Sequence, residues 1–267
     1  MTPQGQPSEF SGWVQRLFEY DRVGDVFTST TPATGDESRL FGGLIAARAL
    51  IAAAATVPGD KIPHSLHAYF LRGGNYGTPI DVHVDRVRDG GSFATRRVTV
   101  CQRDAAIFEM IVSFHRPEPS VDVHPDMNPA PALDDCVPSS VSSVIDVLLE
   151  TRALPEKASP WAVPPIWIRT RGSVGDDPIA SAAVLTFLSD IGPVPVSRPP
   201  GARAGAGFSA SLDHAIWFHR PFVPHQWHRY DVTALNHNSA RGLVRGALYD
   251  HRGVLVASTA QEALTRL

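Results

Sequence analysis

Two stretches of this chain are apolar on every side at helical length. Residues 178–190 are filled by Ala, Ile, Val, Leu and Phe, and the segment opened by Phe41-Gly42-Gly43 is nearly as apolar to about Thr56. A helix without a polar face has to be wrapped by other elements. Strand patterns follow each one. After the first helix they cover residues 64–72, 79–88, 92–102 and 105–115; after the second, residues 208–220, 226–235, 240–249 and 254–261. Asp81-Val82-His83-Val84-Asp85 alternates cleanly, which predicts a sheet with one face in water. Asp89-Gly90-Gly91, Arg103-Asp104 and residues 250–253 read as the turns.

Each helix also has a strand ahead of it, at residues 25–31 and 161–171, and residues 11–20 predict a short leading helix. Local similarity supports a duplication. His67-Ala-Tyr-Phe-Leu-Arg72 is similar to His214-Ala-Ile-Trp-Phe-His-Arg220, and Ser92-Phe-Ala-Thr-Arg-Arg97 to Ser239-Ala-Arg-Gly-Leu-Val-Arg245. The expected architecture is an α+β unit used twice, over residues 1–115 and 161–267. Between them, residues 116–138 are rich in Pro and acidic side chains and read as a linker. Val141, Val144, Ile145, Leu148 and Leu149 form a stripe at helical spacing, so residues 116–160 should carry one surface helix capped by Ser139 or Ser140.

Composition narrows the function classes. The 267 residues are 43% hydrophobic and 19% charged with a net charge of -3, a globular profile that implies no polyanion partner. Cys101 and Cys136 are too few for a disulfide framework. The first ten residues lack a signal pattern, and the apolar run 44–55 contains Arg48 and is too short to span a bilayer. A cytoplasmic protein acting without a membrane is the expectation. The terminal Thr265-Arg266-Leu267 is only a distant echo of a peroxisomal ending.

Candidate chemistry is sparse. His64 with His67, and His214 with His219, are spaced to point to opposite strand faces, so no metal or cofactor is expected. No Gly-x-Ser-x-Gly elbow is present, and the Gly-rich residues 201–207 precede a strand rather than a helix. Asp190 stands out because it ends the apolar helix just before Gly192-Pro193. There the negative helix end and low hydration would both raise its pKa toward that of a general base. The plainer reading is a solvated Asp beyond the helix. Asp213 is a rival: on one long strand, Ser211, Asp213, Ala215, Trp217 and His219 would share a face. Gln261 continues the face of Leu255, Ala257 and Thr259, with a surface position as its plainer reading.

Several longer motifs carry a resemblance. They are Phe41-Gly-Gly43, His64-Ser-Leu-His-Ala-Tyr-Phe-Leu-Arg72, Arg88-Asp-Gly-Gly-Ser-Phe93, Leu212-Asp-His-Ala-Ile-Trp-Phe-His-Arg-Pro221, Ser239-Ala-Arg-Gly242 and Leu255-Val-Ala-Ser-Thr-Ala-Gln-Glu262. With these the chain resembles the acyl-CoA thioesterase II family, whose fold is a double hot-dog: two antiparallel sheets, each wrapped around a central helix. The resemblance implies hydrolysis of acyl-CoA by Asp190, Ser211 and Gln261, with Ser standing where Thr is commoner. It assigns Asp213 to the strand motif rather than to catalysis. Leu44 and Arg48 stand where relatives usually have Gln, which takes any polar role away from the first half. A homo-oligomer, most simply a dimer, is expected. A non-catalytic acyl-CoA-binding module and a hot-dog hydratase or dehydratase are the other readings; the latter needs an acid/base pair such as Asp213-His214.

Overall fold

The computed structural model describes residues 9–32, 39–127, 131–154, 165–199, 202 and 207–266. In chain order the elements are α1 (Glu9–Leu17), β1 (Asp21–Val23), β2 (Val26–Ser29), α2 (Gly42–Ala54), β3 (Ile62–Phe70), β4 (Ile80–Asp89), β5 (Phe93–Gln102) and β6 (Ala105–His115). Then follow β7 (Val137–Ser139), α3 (Ser143–Asp146), β8 (Leu149–Ala153), β9 (Ile166–Thr170), α4 (Pro178–Ser189), α5 (Pro193–Val196), β10 (Phe208–Ser211), β11 (Asp213–Phe218), β12 (His228–Asn238), β13 (Arg241–Asp250) and β14 (Leu255–Arg266).

The strands form one antiparallel sheet in the order β1-β2-β4-β5-β6-β3-β11-β14-β13-β12-β9-β8-β7, with β10 beside β14. The two meanders therefore join edge to edge, through β3 and β11. The join is in register from Tyr69 opposite Asp213 to Ser65 opposite Trp217. The duplication is visible in the backbone. Leu71 and Arg72 N–H both donate to Ile107 O, and His219 and Arg220 N–H both donate to Val256 O. Arg72 Nη1 reaches Ala106 O at 2.6 Å and Arg220 Nη1 reaches Leu255 O at 2.5 Å. The 103–104 turn holds both residues at positive φ, as do Ser239 and Ala240 between β12 and β13. This primed geometry suits tight hairpins.

The apolar helices are the core. Ala47, Ala49, Leu50, Ala52 and Ala53 of α2 and Ala183, Val184 and Leu188 of α4 are fully buried. Pro178–Val196 is long and apolar enough to cross a bilayer by composition, yet it lies inside the sheet. The helices touch where α2 begins. A Cβ at Gly43 would lie 2.4 Å from Phe187 O, so only glycine permits this approach.

The connection departs from expectation. The predicted surface helix shrinks to one turn, Ser143–Asp146, capped by Ser142 rather than Ser139 or Ser140. Val137–Ser139 and Leu149–Ala153 are strands that extend the second meander, because β8 finds a partner in β9. Leu148 and Leu149 are buried, not on the surface. Of the strand expected at residues 161–171, only Ile166–Thr170 is observed, and residues 161–164 lie outside the described set. The Gly-rich stretch also lies mostly outside it.

Candidate active site

The long strand expected from residue 208 onward is broken at Leu212. In β10 Ser211 pairs with Ala263, whereas in β11 Ala215 pairs with Ala260, so the register slips by one residue between them. A one-residue slip reverses the facing of side chains. Ser211 and Asp213 consequently do not act together. Asp213 Oδ1 accepts the Glu262 N–H at 2.7 Å, and Leu212 N–H donates to Glu262 O at 2.9 Å. Asp213 is the side chain that stitches the irregularity. His214 turns the other way, into the core, where Nε2 lies 2.8 Å from Ser189 Oγ. The Asp213-His214 acid/base pair is not formed.

Ser211, by contrast, turns toward the end of α4. Asp190 is the C-cap of that helix, and Gly192 at φ 105° reverses the chain immediately after it. Its Oδ1 accepts from Gln261 Nε2 at 3.0 Å and from Ser211 Oγ at 3.4 Å. Gln261 Nε2 also donates to Ser211 Oγ at 2.8 Å. Three residues from two strands and a helix thus meet in a closed triangle. Asp190 is 7% exposed and Gln261 1%, so neither plainer reading holds; Ser211 is half-buried and gives the triangle its open side.

One participant was invisible in the side-chain pattern. The Gly43 backbone N–H, in the first turn of α2, donates to Asp190 Oδ2 at 2.9 Å. The carboxylate thus lies between the C-terminus of α4 and the N-terminus of α2, whose dipole ends oppose each other. Gly42 is needed as well, since a Cβ there would sit 2.8 Å from Asp190 Oδ2. The sequence signal was the Phe41-Gly-Gly43 motif. Glycines opening a helix against a carboxylate were its physical content.

Burial pushes the Asp190 carboxyl up to about 6, and the hydrogen bonds from Gln261, Gly43 and Ser211 hold it from rising further. Burial drives His214 down to about 4. Tyr230 Oη donates to Ser189 O at 2.8 Å and contacts Thr259 Oγ1 at 3.0 Å, closing the floor beneath Asp190. Among the described residues no group of three His, Cys, Asp or Glu side chains is placed to hold a metal.

A cavity of about 1030 Å³ lies on the other side of Phe41 and Phe187, and Asp190, Ser211 and Gln261 are not among the residues that line it. Trp13 of α1, Leu44, Tyr76, Ile145, Leu148 and Phe187 give it an apolar lining, and Arg16, Arg39, Ser142 and Ser143 lie around it. Phe41 also lines it and marks the boundary: its ring would be 2.7 Å from a Cβ on Gly43, and Asp190 Cβ would be 3.2 Å from the same point. Leu44 has here an apolar role. Arg48 is buried and lies away from the triangle, donating to Arg16 O at 3.0 Å and to Ser29 Oγ.

Known proteins share this fold and part of this sequence. Residues 30–115 match the model of the acyl-CoA thioesterase N-terminal domain, and residues 109–265 that of the acyl-CoA thioesterase C-terminal domain. Mouse acyl-coenzyme A thioesterase 8 is 34% identical, over 86% of this chain and 81% of its own. The crystal structure of an acyl-CoA thioesterase II from Mycobacterium marinum superposes with a TM-score of 0.83 at 31% identity, covering 95% of this chain and 98% of that one. A hot-dog protein of Alicyclobacillus acidocaldarius, 17% identical, shares the fold at a TM-score of 0.77 over 96% of this chain and 98% of its own.

Proposed function

Since the chain belongs to the acyl-CoA thioesterase family, we propose that it hydrolyses acyl-CoA to the free acid and CoA by general-base activation of water at Asp190. The observation that carries the mechanism is the buried carboxylate held by Ser211, Gln261 and the Gly43 N–H. At pH 7 a carboxyl titrating near 6 is mostly ionised yet still basic enough to take a proton. Ser211 Oγ, fixed in place by the Gln261 amide, orients a water on the half-buried edge of the triangle, with a lone pair toward the thioester carbonyl. Asp190 removes one water proton as the oxygen attacks the carbonyl carbon. Collapse of the tetrahedral adduct expels the CoA sulfur, and Asp190 returns the proton to it. The Gly43 N–H faces Asp190 Oδ2 and so serves the carboxylate in this geometry.

The cavity beside Phe41 and Phe187 is the proposed acyl site, its apolar lining suited to a hydrocarbon chain. The test of the function is incubation with acyl-CoAs of graded chain length and a thiol reagent. Release of thiol in step with free acid is expected; binding without release would leave a non-catalytic acyl-CoA-binding protein instead.

We further propose a cytoplasmic location and a homodimer. A cytoplasmic location is supported by free Cys101 and Cys136, which suit a reducing compartment. A homodimer is supported by the outer sheet face, where Tyr69, Ile111 and Trp217 stay exposed around the β3–β11 junction. Edge pairing has weaker support, because the outermost strands β1 and β7 are three residues each. Light scattering that gave only the 28.8 kDa monomer over a wide concentration range would oppose the dimer.

A further inference from the structure

Two buried atoms are left without partners beside the catalytic triangle, and they belong to cross-strand neighbours. His214 Nδ1 and Gln261 Oε1 make no hydrogen bond. Continuing the β11–β14 register by one residue from Ala215 opposite Ala260 places His214 directly opposite Gln261. Both side chains point inward, each 1% exposed. Directly opposed residues of an antiparallel pair have Cβ atoms about 4.5–5.5 Å apart, within reach of imidazole and amide groups. An interaction with Gln261 in fact works against burial in setting the His214 pKa.

Chemistry fixes the polarity of that contact. The amide oxygen can only accept, so the ring nitrogen facing it has to carry the proton. We propose that His214 is a positioning residue whose Nδ1–H donates to Gln261 Oε1 and locks the amide with Nε2 toward Asp190 and Ser211. The inference rests on the reading of Asp190, Ser211 and Gln261 as the catalytic group. In this arrangement the Ser189 hydroxyl gives its proton to His214 Nε2 rather than to Thr186 O. The opposite tautomer would present a lone pair to Gln261 Oε1. It would favour a flipped amide, which turns an acceptor toward the Asp190 carboxylate and removes both donor bonds from the triangle.

The groups facing Asp190 are the Gly43 N–H from α2, Ser211 from β10, Gln261 from β14 and the Tyr230 phenol from β12. Burial keeps His214 neutral through the range in which Asp190 ionises. A pH profile therefore reports on Asp190.

The direct test is the tautomer of His214, read by nitrogen NMR of the histidine-labelled wild-type enzyme. Protonated Nδ1 and bare Nε2 are expected, and the reverse would overturn the proposal. Two variants extend the test. In His214→Asn the amide nitrogen takes the place of Nδ1, so kcat should stay within about threefold; in His214→Gln that donor is lost, and kcat should fall about tenfold to a hundredfold. KM should hold in His214→Gln while the acid limb of kcat moves upward, because Gln261 no longer steadies the Asp190 anion. Equal losses in both variants with an unmoved acid limb would make His214 a structural filler. Asp190→Asn is run in parallel. If it retains activity, the catalytic reading fails; if it is inactive while His214→Gln behaves as wild type, only the His214 proposal fails. Should His214→Gln not fold, the tautomer still decides.

Discussion

Asp190→Asn is the perturbation that separates catalysis from stability most sharply. Asparagine keeps the shape and an oxygen for the Gly43 N–H but cannot take a proton. Loss of a general base lowers kcat by about a hundredfold to ten-thousandfold. Stability should move the other way. The folded carboxyl titrates near 6, above its ordinary 3.8, so the folded protein holds an extra proton between those values. The stability tied to that proton is full below 3.8 and is lost as pH rises through about 6. The shift corresponds to about 3 kcal/mol of strain from an ionised buried carboxylate, which the variant lacks. Against this, the new amide sets one N–H against a donor it replaced an acceptor for, at about 1–3 kcal/mol. The pH dependence is the cleaner quantity, because the mispaired donor does not titrate. Relative to wild type, the variant should gain about 2 kcal/mol between roughly pH 4.5 and pH 8. Urea unfolding at both pH values measures that gain, and thiol release measures kcat. A variant with near-wild-type turnover, or one whose relative stability ignores pH, would refute the reasoning.

The wild-type acid limb of kcat/KM should have an apparent pKa near 6, with activity falling below it, since Asp190 has to be ionised to act; a flat profile from pH 5 to 8 would contradict this. Ser211→Ala should cost about 1–4 kcal/mol in kcat/KM, and Ser211→Thr should retain most activity unless its methyl overpacks the site at about 1–3 kcal/mol. Asp213→Asn should leave kcat within a few-fold and stability nearly unchanged, because its amide oxygen can still accept the Glu262 N–H and Asp213 does not join the triangle. Trp13→Ala should move the chain-length optimum toward longer acyl groups, read as kcat/KM across a homologous series, because Trp13 fills one wall of the cavity.

The double unit was legible because its signals are local and strong. Helices apolar all round, alternating strands and a Gly192-Pro193 stop each point to one structure without reference to distant residues. Asp190 stood out because it ends such a helix, but the residues alone left a solvated Asp as its plainer reading, and the resemblance made the assignment. The connection was not legible. The stripe from Val141 to Leu149 fits a helix, but Leu149 to Ala153 becomes a strand because β9, a distant partner, offers an edge. A five-residue strand carries too little periodicity to compete with that stripe. The slip at Leu212 is also a long-range event, made by Asp213 and Glu262, 49 positions apart. Without it Ser211 and Asp213 would share a face, which is why the residues alone left Asp190 and Asp213 as rivals. Gly43 contributes a backbone donor, which no side-chain pattern can mark.

Direct attack by water is the central claim, and rapid-quench mass spectrometry of the intact wild-type enzyme tests it. The enzyme is mixed with a slow acyl-CoA substrate in heavy-oxygen water and quenched within a single turnover. An unmodified protein mass, with the heavy oxygen in the released acid, is the predicted result. An acyl adduct on Ser211, or heavy oxygen incorporated into Asp190, would contradict it.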